Sequence, residues 1–206
     1  MSPQVVSPFN LPFDEAIQLM LKKLNLPTAT WDAISNEAHR EAFTVAGAME
    51  VNLLSDFHDA INKMLAEGLT LEDFRKDFDS IVEKFGWDYN GSRGWRSNVI
   101  YQTNLQSSYQ AGRYQQSTAP EILQVFPYWR YRTAGDERVR PLHRLWNNTI
   151  LRADDPWWDT HYPYRGNTYI WYNCRCDVEP LTESEYNQLV GKEGFQTSPP
   201  QEAVLA

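Results

Sequence analysis

Three residues in this chain have side chains suited to joint chemistry: Cys174 and Cys176, one residue apart, and His143 about thirty residues earlier. They are the chain's two cysteines and one of its four histidines. In an extended strand, alternate residues point to the same face, spaced about 6.5–7 Å along the chain. Cys174 and Cys176 can therefore converge on one point while Arg175 faces away. Two thiolates and an imidazole form a three-ligand set that suits zinc, which favours sulfur and nitrogen in tetrahedral sites. The expected metal ligands are His143, Cys174 and Cys176, with His161, Asp136 or water as the fourth, and a structural zinc as the implied cofactor. The alternative is two small buried cysteines beside a histidine that fixes its turn through hydrogen bonds. A catalytic reading also exists. Asp136, Glu137, His143 and a cysteine could form a hydrolytic or nuclease site, or a Cys–His pair could act as nucleophile and base. No nucleophile elbow, phosphate loop or metal-hydrolase motif accompanies them. The expectation is therefore no enzyme and no catalytic residue.

Adjacent positions i and i+2 make a strained, very small disulfide ring, so the expected compartment is reducing. No run approaches the roughly 18 apolar residues needed to cross a bilayer. The first residues lack a basic segment followed by an apolar one, so no secretion signal and no membrane partner are expected. A length of 206 residues accommodates one large domain or two small ones.

The net charge of −8 is unevenly distributed. Residues 1–92 hold 7 Lys/Arg against 15 Asp/Glu, whereas residues 93–179 hold 11 against 8, and all eleven cations there are arginine. Arginine pairs bidentately with carboxylate and phosphate and stacks on aromatic rings. Arg130, Arg132, Arg138, Arg140 and Arg144 are the expected contact residues for nucleic acid or a protein partner. The competing reading stacks the arginines on neighbouring Trp and Tyr and pairs them with Asp136, Glu137 and Asp155.

The elements that must carry these residues follow from periodicity. Asn10 and Pro12 open a first helix with Phe13, Ile17, Met20, Leu21 and Leu24 on one face. A second helix is expected over residues 31–47, containing the small, apolar Ala42-Phe-Thr-Val-Ala-Gly47, which would let another helix approach closely. A third covers residues 51–67 and stops at Gly68. Thr70-Leu-Glu-Asp73 reads as a capping box for a fourth with an aromatic stripe, ended by Gly86. A fifth spans residues 95–116 with a polar, solvated face. His39 and His58 read as surface or structural residues. After Pro120 the texture changes: a strand over residues 126–133, a turn at Gly135-Asp136, and a short helix or turn from Pro141. Short strands follow at residues 149–151 and 168–172, the latter extended or partnered by residues 174–178. Thr182 then opens a last short helix.

The expected fold class is α+β: a mainly helical N-terminal part followed by a small mixed α+β module with short strands. The divisions are residues 1–118 as a helical, partner-docking region, 119–192 as the His…Cys-x-Cys module, and 193–206 as a flexible tail.

Tyr131-Arg-Thr-Ala-Gly-Asp-Glu-Arg-Val-Arg-Pro-Leu-His143, then Asp155-Pro-Trp-Trp158, then Asn173-Cys-Arg-Cys176, resemble the signature of the phage Mu F-like minor head proteins, also called phage head morphogenesis proteins. Pro12-Phe-Asp-Glu-Ala16, Ala42-Phe-Thr-Val-Ala-Gly47, Trp95-Arg96, Tyr101-Gln-Thr-Asn104 and Ala111-Gly-Arg-Tyr114 resemble the same family, so the likeness covers roughly residues 8–190. One departure is Tyr162-Pro-Tyr164-Arg-Gly166, where family members often carry a Pro-Pro pair. The resemblance implies a minor structural protein of a tailed-phage head, assembled in the host cytoplasm and present inside the capsid near the portal vertex. It implies the portal protein as partner, with the major capsid or scaffolding protein and packaged double-stranded DNA as further candidates, and a role in head morphogenesis and genome packaging or ejection. It also implies a length commonly greater than this chain's. The readings from other classes are a DNA-processing or toxin-like enzyme using His143 with the acidic turn, and a DNA-binding module.

Overall fold

The computed structural model describes residues 13–164 and 173–201. The chain divides into two units, residues 1–112 and 113–206. The expected strand at 168–172, the Asn10/Pro12 start and the last five residues lie outside the described residues.

The first unit is helical, with helices α1 (Asp14–Leu21), α2 (Asn36–Glu41), α3 (Val51–Glu67), α4 (Leu71–Phe85) and most of α5 (Arg93–Ser117). Gly68 and Gly86 end α3 and α4 in the left-handed conformation, with φ of 64° and 59°, a region where a Cβ is penalised. Thr70 and Asp73 form the expected capping box, the Asp73 N–H donating to Thr70 Oγ1 at 3.4 Å and the Thr70 N–H to Asp73 Oδ2 at 3.2 Å. The turn sends α4 back along α3. Lys63–Asp77 and Lys84–Asp56 ion pairs link the two helices at 3.1 and 2.6 Å, while Phe57, Phe74, Phe78 and Ile61 fill the space between the elements.

The helix expected over residues 31–47 is shorter. Ser35 caps α2 by accepting from the Ala38 N–H, and the chain becomes extended at β2 (Ala42–Phe43), which pairs in parallel with β1 (Leu24–Asn25). In and beside the small apolar patch, Phe43, Val45 and Ala48 are buried in the unit's own core. β-Branched Thr44 and Val45 disfavour helix, and burial of Phe43 against the His58 ring, 4.5 Å away and nearly parallel, completes the reason. The polar face of α5 also differs from expectation. Ser97, Asn104 and Ser108 are buried. Their side chains donate to carbonyls one turn back on their own helix, at 2.7, 2.9 and 2.9 Å, which satisfies them without water.

The second unit is a three-stranded antiparallel sheet with short helices. α6 (Pro120–Val125) precedes β3 (Tyr128–Arg132); α7 (Pro141–Trp146) leads to β4 (Ile150–Arg152); α8 (Trp158–His161), β5 (Asp177–Leu181) and α9 (Glu183–Leu189) follow. The strand order is β4-β3-β5, with Trp129 opposite Leu151 and Tyr131 opposite Val178. Alternation along β3 buries Trp129 and Tyr131 and turns Arg130 and Arg132 outward. The core is aromatic: Trp129, Tyr131, Trp146, Trp157, Trp158 and Tyr162. Residues 195–196, expected in the tail, meet the edge of β4. The Ile150 N–H donates to the Gln196 carbonyl at 2.7 Å and the Gln196 N–H to that of Asn148 at 3.1 Å. α6 went unread in the sequence, although Pro120 sits at its first position, a recognised start signal.

Candidate metal centre

His143 is placed by a helix of six residues, α7, whose fixed-φ Pro141 occupies the first turn. The imidazole is buried and lies parallel to the Trp146 indole, 5.0 Å between centroids. The cysteines immediately precede β5 rather than lie in it: the strand expected over residues 174–178 begins only at Asp177. Their approach is set by Asn173, whose φ of 53° is a left-handed conformation that asparagine tolerates better than most side chains. The β3–β5 register, with Arg132 opposite Asp177, fixes where the segment enters the sheet. The Tyr164 hydroxyl donates to the Cys174 carbonyl at 2.9 Å.

The three expected ligands come together. Cys174 Sγ lies 3.6 Å and Cys176 Sγ 3.3 Å from His143 Nδ1, and the three donor atoms are all within 4.8 Å of one another. Each residue is 3% exposed, so the donors face one another in the protein interior. The Cys176 N–H donates to Cys174 Sγ at 3.4 Å. Hydrogen bonding from Cys174, and then from His143, holds the Cys176 thiol below its ordinary pKa; the contact with Cys176 and burial push Cys174 upward.

Arg175, between the two cysteines, grips both Asp136 oxygens at 2.7 Å. That contact holds the Asp136 carboxyl below the usual carboxylate range and ties the turn after β3 to the Cys-x-Cys segment. Asp136 is thus committed to Arg175. His161 stacks on Trp157 at 4.0 Å, and its Nδ1 lies 2.7 Å from the Trp157 carbonyl. Among the described residues, the convergent group consists of His143, Cys174 and Cys176. A residue that the sequence reading passed over, Tyr131, joins the site's wall. It is fully buried, its hydroxyl is left without a hydrogen bond, and burial first, then the neighbouring cysteines, raise its pKa. Its inward position on a strand that alternates aromatic and cationic residues was the available signal.

The five expected contact arginines separate into two kinds. Arg130 is half-buried, donating to Asn148 Oδ1 and Glu179 while its guanidinium covers the Phe195 ring at 4.9 Å. This one is a structural tie. Arg132, Arg138, Arg140 and Arg144 are exposed. Arg132 lies 3.6 Å from Glu179, Arg138 lies 3.4 Å from Asp136, and Arg144 donates to the Glu137 carbonyl at 2.6 Å.

Chemically, two sulfurs and an imidazole nitrogen directed at one point can hold a soft cation. They are poorly disposed for nucleophilic attack, which requires access to substrate. A cavity of about 570 Å³ in this unit is lined by residues including Arg113, Arg132, Arg175, Asp177 and Glu179, and not by His143 or either cysteine.

The family model for phage Mu protein F like protein matches residues 55–179, a span that includes all three candidate ligands. A protein of Escherichia phage Mu named for capsid assembly, protein F, is 32% identical over 202 residues, covering 91% of this chain and 44% of that protein. The Mu-like prophage FluMu F protein of Haemophilus influenzae is 34% identical over 166 residues, covering 76% of this chain and 38% of that protein. The chain therefore spans less than half the length of both relatives. No solved structure matches it significantly.

Proposed function

The chain belongs to the phage Mu protein F like family, and on that premise we propose that it is a structural protein of a tailed-phage head, acting in head assembly from inside the capsid at the portal vertex. The observation that carries this reading is the 32% identity, over 91% of the chain, to a relative named for capsid assembly. The physical arrangement supports a structural role. The buried His143–Cys174–Cys176 group suits a clasp that fixes a small fold better than a centre that turns over substrate.

Two finer parts belong to the same proposal. The portal protein is the partner, with the major capsid or scaffolding protein as secondary contacts. Packaged double-stranded DNA is touched by the exposed Arg132, Arg138, Arg140 and Arg144, a cationic set within an otherwise acidic chain. Phosphate contacts of this kind weaken as salt rises, because bound counterions are released on association.

The direct test is co-expression with the portal protein of the same phage, followed by purification through a tag on the portal. Co-elution that survives a high-salt wash is expected. Failure to co-elute, with both proteins soluble, would overturn the portal assignment. Duplex DNA retention that falls steeply with salt, and falls further in Arg138→Glu/Arg140→Glu/Arg144→Glu, is expected for the DNA contact; salt-independent or absent retention would remove it.

A further inference from the structure

We propose that His143 Nδ1, Cys174 Sγ and Cys176 Sγ bind one structural zinc ion, which clasps α7 to the segment entering β5. The inference is independent of the role in head assembly. It rests on the donor geometry.

Zinc–sulfur bonds of about 2.3 Å and zinc–nitrogen bonds of about 2.0–2.1 Å at tetrahedral angles separate a sulfur from a nitrogen ligand by about 3.6 Å. The observed Sγ–Nδ1 separations are 3.6 and 3.3 Å. Both sulfurs thus sit near ligand spacing from the nitrogen, and the three donor atoms lie within 4.8 Å of one another. Two sulfurs converge on one imidazole nitrogen. A cation at the centre satisfies all three donors together.

The surroundings fit the same ion. A metal-bound thiolate accepts hydrogen bonds: the Cys176 N–H lies 3.4 Å from Cys174 Sγ, and the fully buried Tyr131 hydroxyl, left without a hydrogen bond, is a second donor near the cysteines. Two sulfurs and one nitrogen select zinc over magnesium or calcium, which take oxygen ligands. With three donors buried at 3% exposure and tied into a helix and a strand entry, the centre is structural. Asp136, held by Arg175, does not supply the fourth corner.

The test is elemental analysis of the full chain, purified under reducing conditions without chelator, loaded with zinc and desalted. About one zinc per chain is expected, against background in Cys174→Ser/Cys176→Ser. Wild-type protein that retains less than about a tenth of an equivalent, or a double variant that retains as much as wild type, overturns the proposal. Cobalt titration of the wild-type chain gives a second readout that needs no variant to fold. An intense thiolate-to-cobalt charge-transfer band with tetrahedral visible bands is expected; weak octahedral bands without charge transfer overturn it. Tyr131→Phe is expected to keep the metal and weaken it about 10–100-fold, as loss of an outer hydrogen bond does. Unchanged affinity would remove Tyr131 from the site.

Discussion

Truncating Trp146 to alanine tests the aromatic core behind His143. The indole is fully buried. It meets Tyr131 edge-on at 5.6 Å, Trp157 at 6.1 Å and His161 at 4.8 Å, and stacks on His143 at 5.0 Å. An aromatic side chain of this kind buries roughly 150–250 Å². At about 25 cal/mol per Å² that is about 4–6 kcal/mol, reduced to about 3–5 once a compact denatured state is allowed for. Cavity-forming Trp→Ala changes cost about 3–5 kcal/mol, which agrees. For a domain whose total stability is about 5–15 kcal/mol, the loss is a large fraction. Trp146→Phe keeps a ring against His143 and should cost less than half as much. The assay is urea unfolding followed by tryptophan fluorescence. Five of the eight tryptophans lie at residues 113–206, so the signal is weighted to that unit. A loss below about 1.5 kcal/mol for the alanine variant, the threshold being half the lower cavity value, would refute the reasoning, as would equal losses for alanine and phenylalanine.

Two further outcomes follow for the helical unit. Gly112→Ala would normally gain about 1 kcal/mol of helix propensity. Here the added Cβ would lie 2.9 Å from the Phe13 ring and 3.0 Å from the Ala16 backbone nitrogen. A net loss of about 1–3 kcal/mol is expected on denaturant titration, and a gain would contradict the close approach. His58, buried against Phe43 with Nε2 2.9 Å from the Met20 carbonyl, has its pKa lowered chiefly by burial. The unfolded chain then takes up the proton first as pH falls below about 6.5. This group's stability contribution is complete above that pH and declines below it, and His39 shares the direction. NMR titration of the His58 ring should give a midpoint below 6.5, and a midpoint at or above it would contradict the burial account.

Local rules carried much of the fold. α3, α4 and α9 were legible because Gly68, Gly86, Thr70 and Thr182 punctuate the chain chemically, through left-handed caps and capping boxes that act within four residues. The segment at Ala42-Phe43 was not legible. Its strand exists through pairing with Leu24-Asn25, a contact between positions far apart in the sequence that periodicity cannot register. The burial of Ser97, Asn104 and Ser108 was hidden for a related reason: polar side chains that bond their own helix carry the same letters as solvated ones. At the candidate site the convergence of Cys174 and Cys176 was expected from strand alternation, but the two residues lie before β5, which begins at Asp177, so the i, i+2 spacing pointed to the right pair through the wrong local structure. The fourth-ligand question turned on Arg175 and Asp136 finding each other across 39 residues. Tyr131's inward position was legible from the alternation along β3, but its nearness to the cysteines depends on how β3 and β5 pair.

The most direct measurement of the head-assembly role is quantitative mass spectrometry of purified heads from a phage carrying this gene, before and after protease treatment of intact particles. The protein is expected in the heads at far lower copy number than the major capsid protein, and protected from protease until the capsid is opened. Its absence from purified heads, or its complete removal by protease from intact ones, would contradict the account.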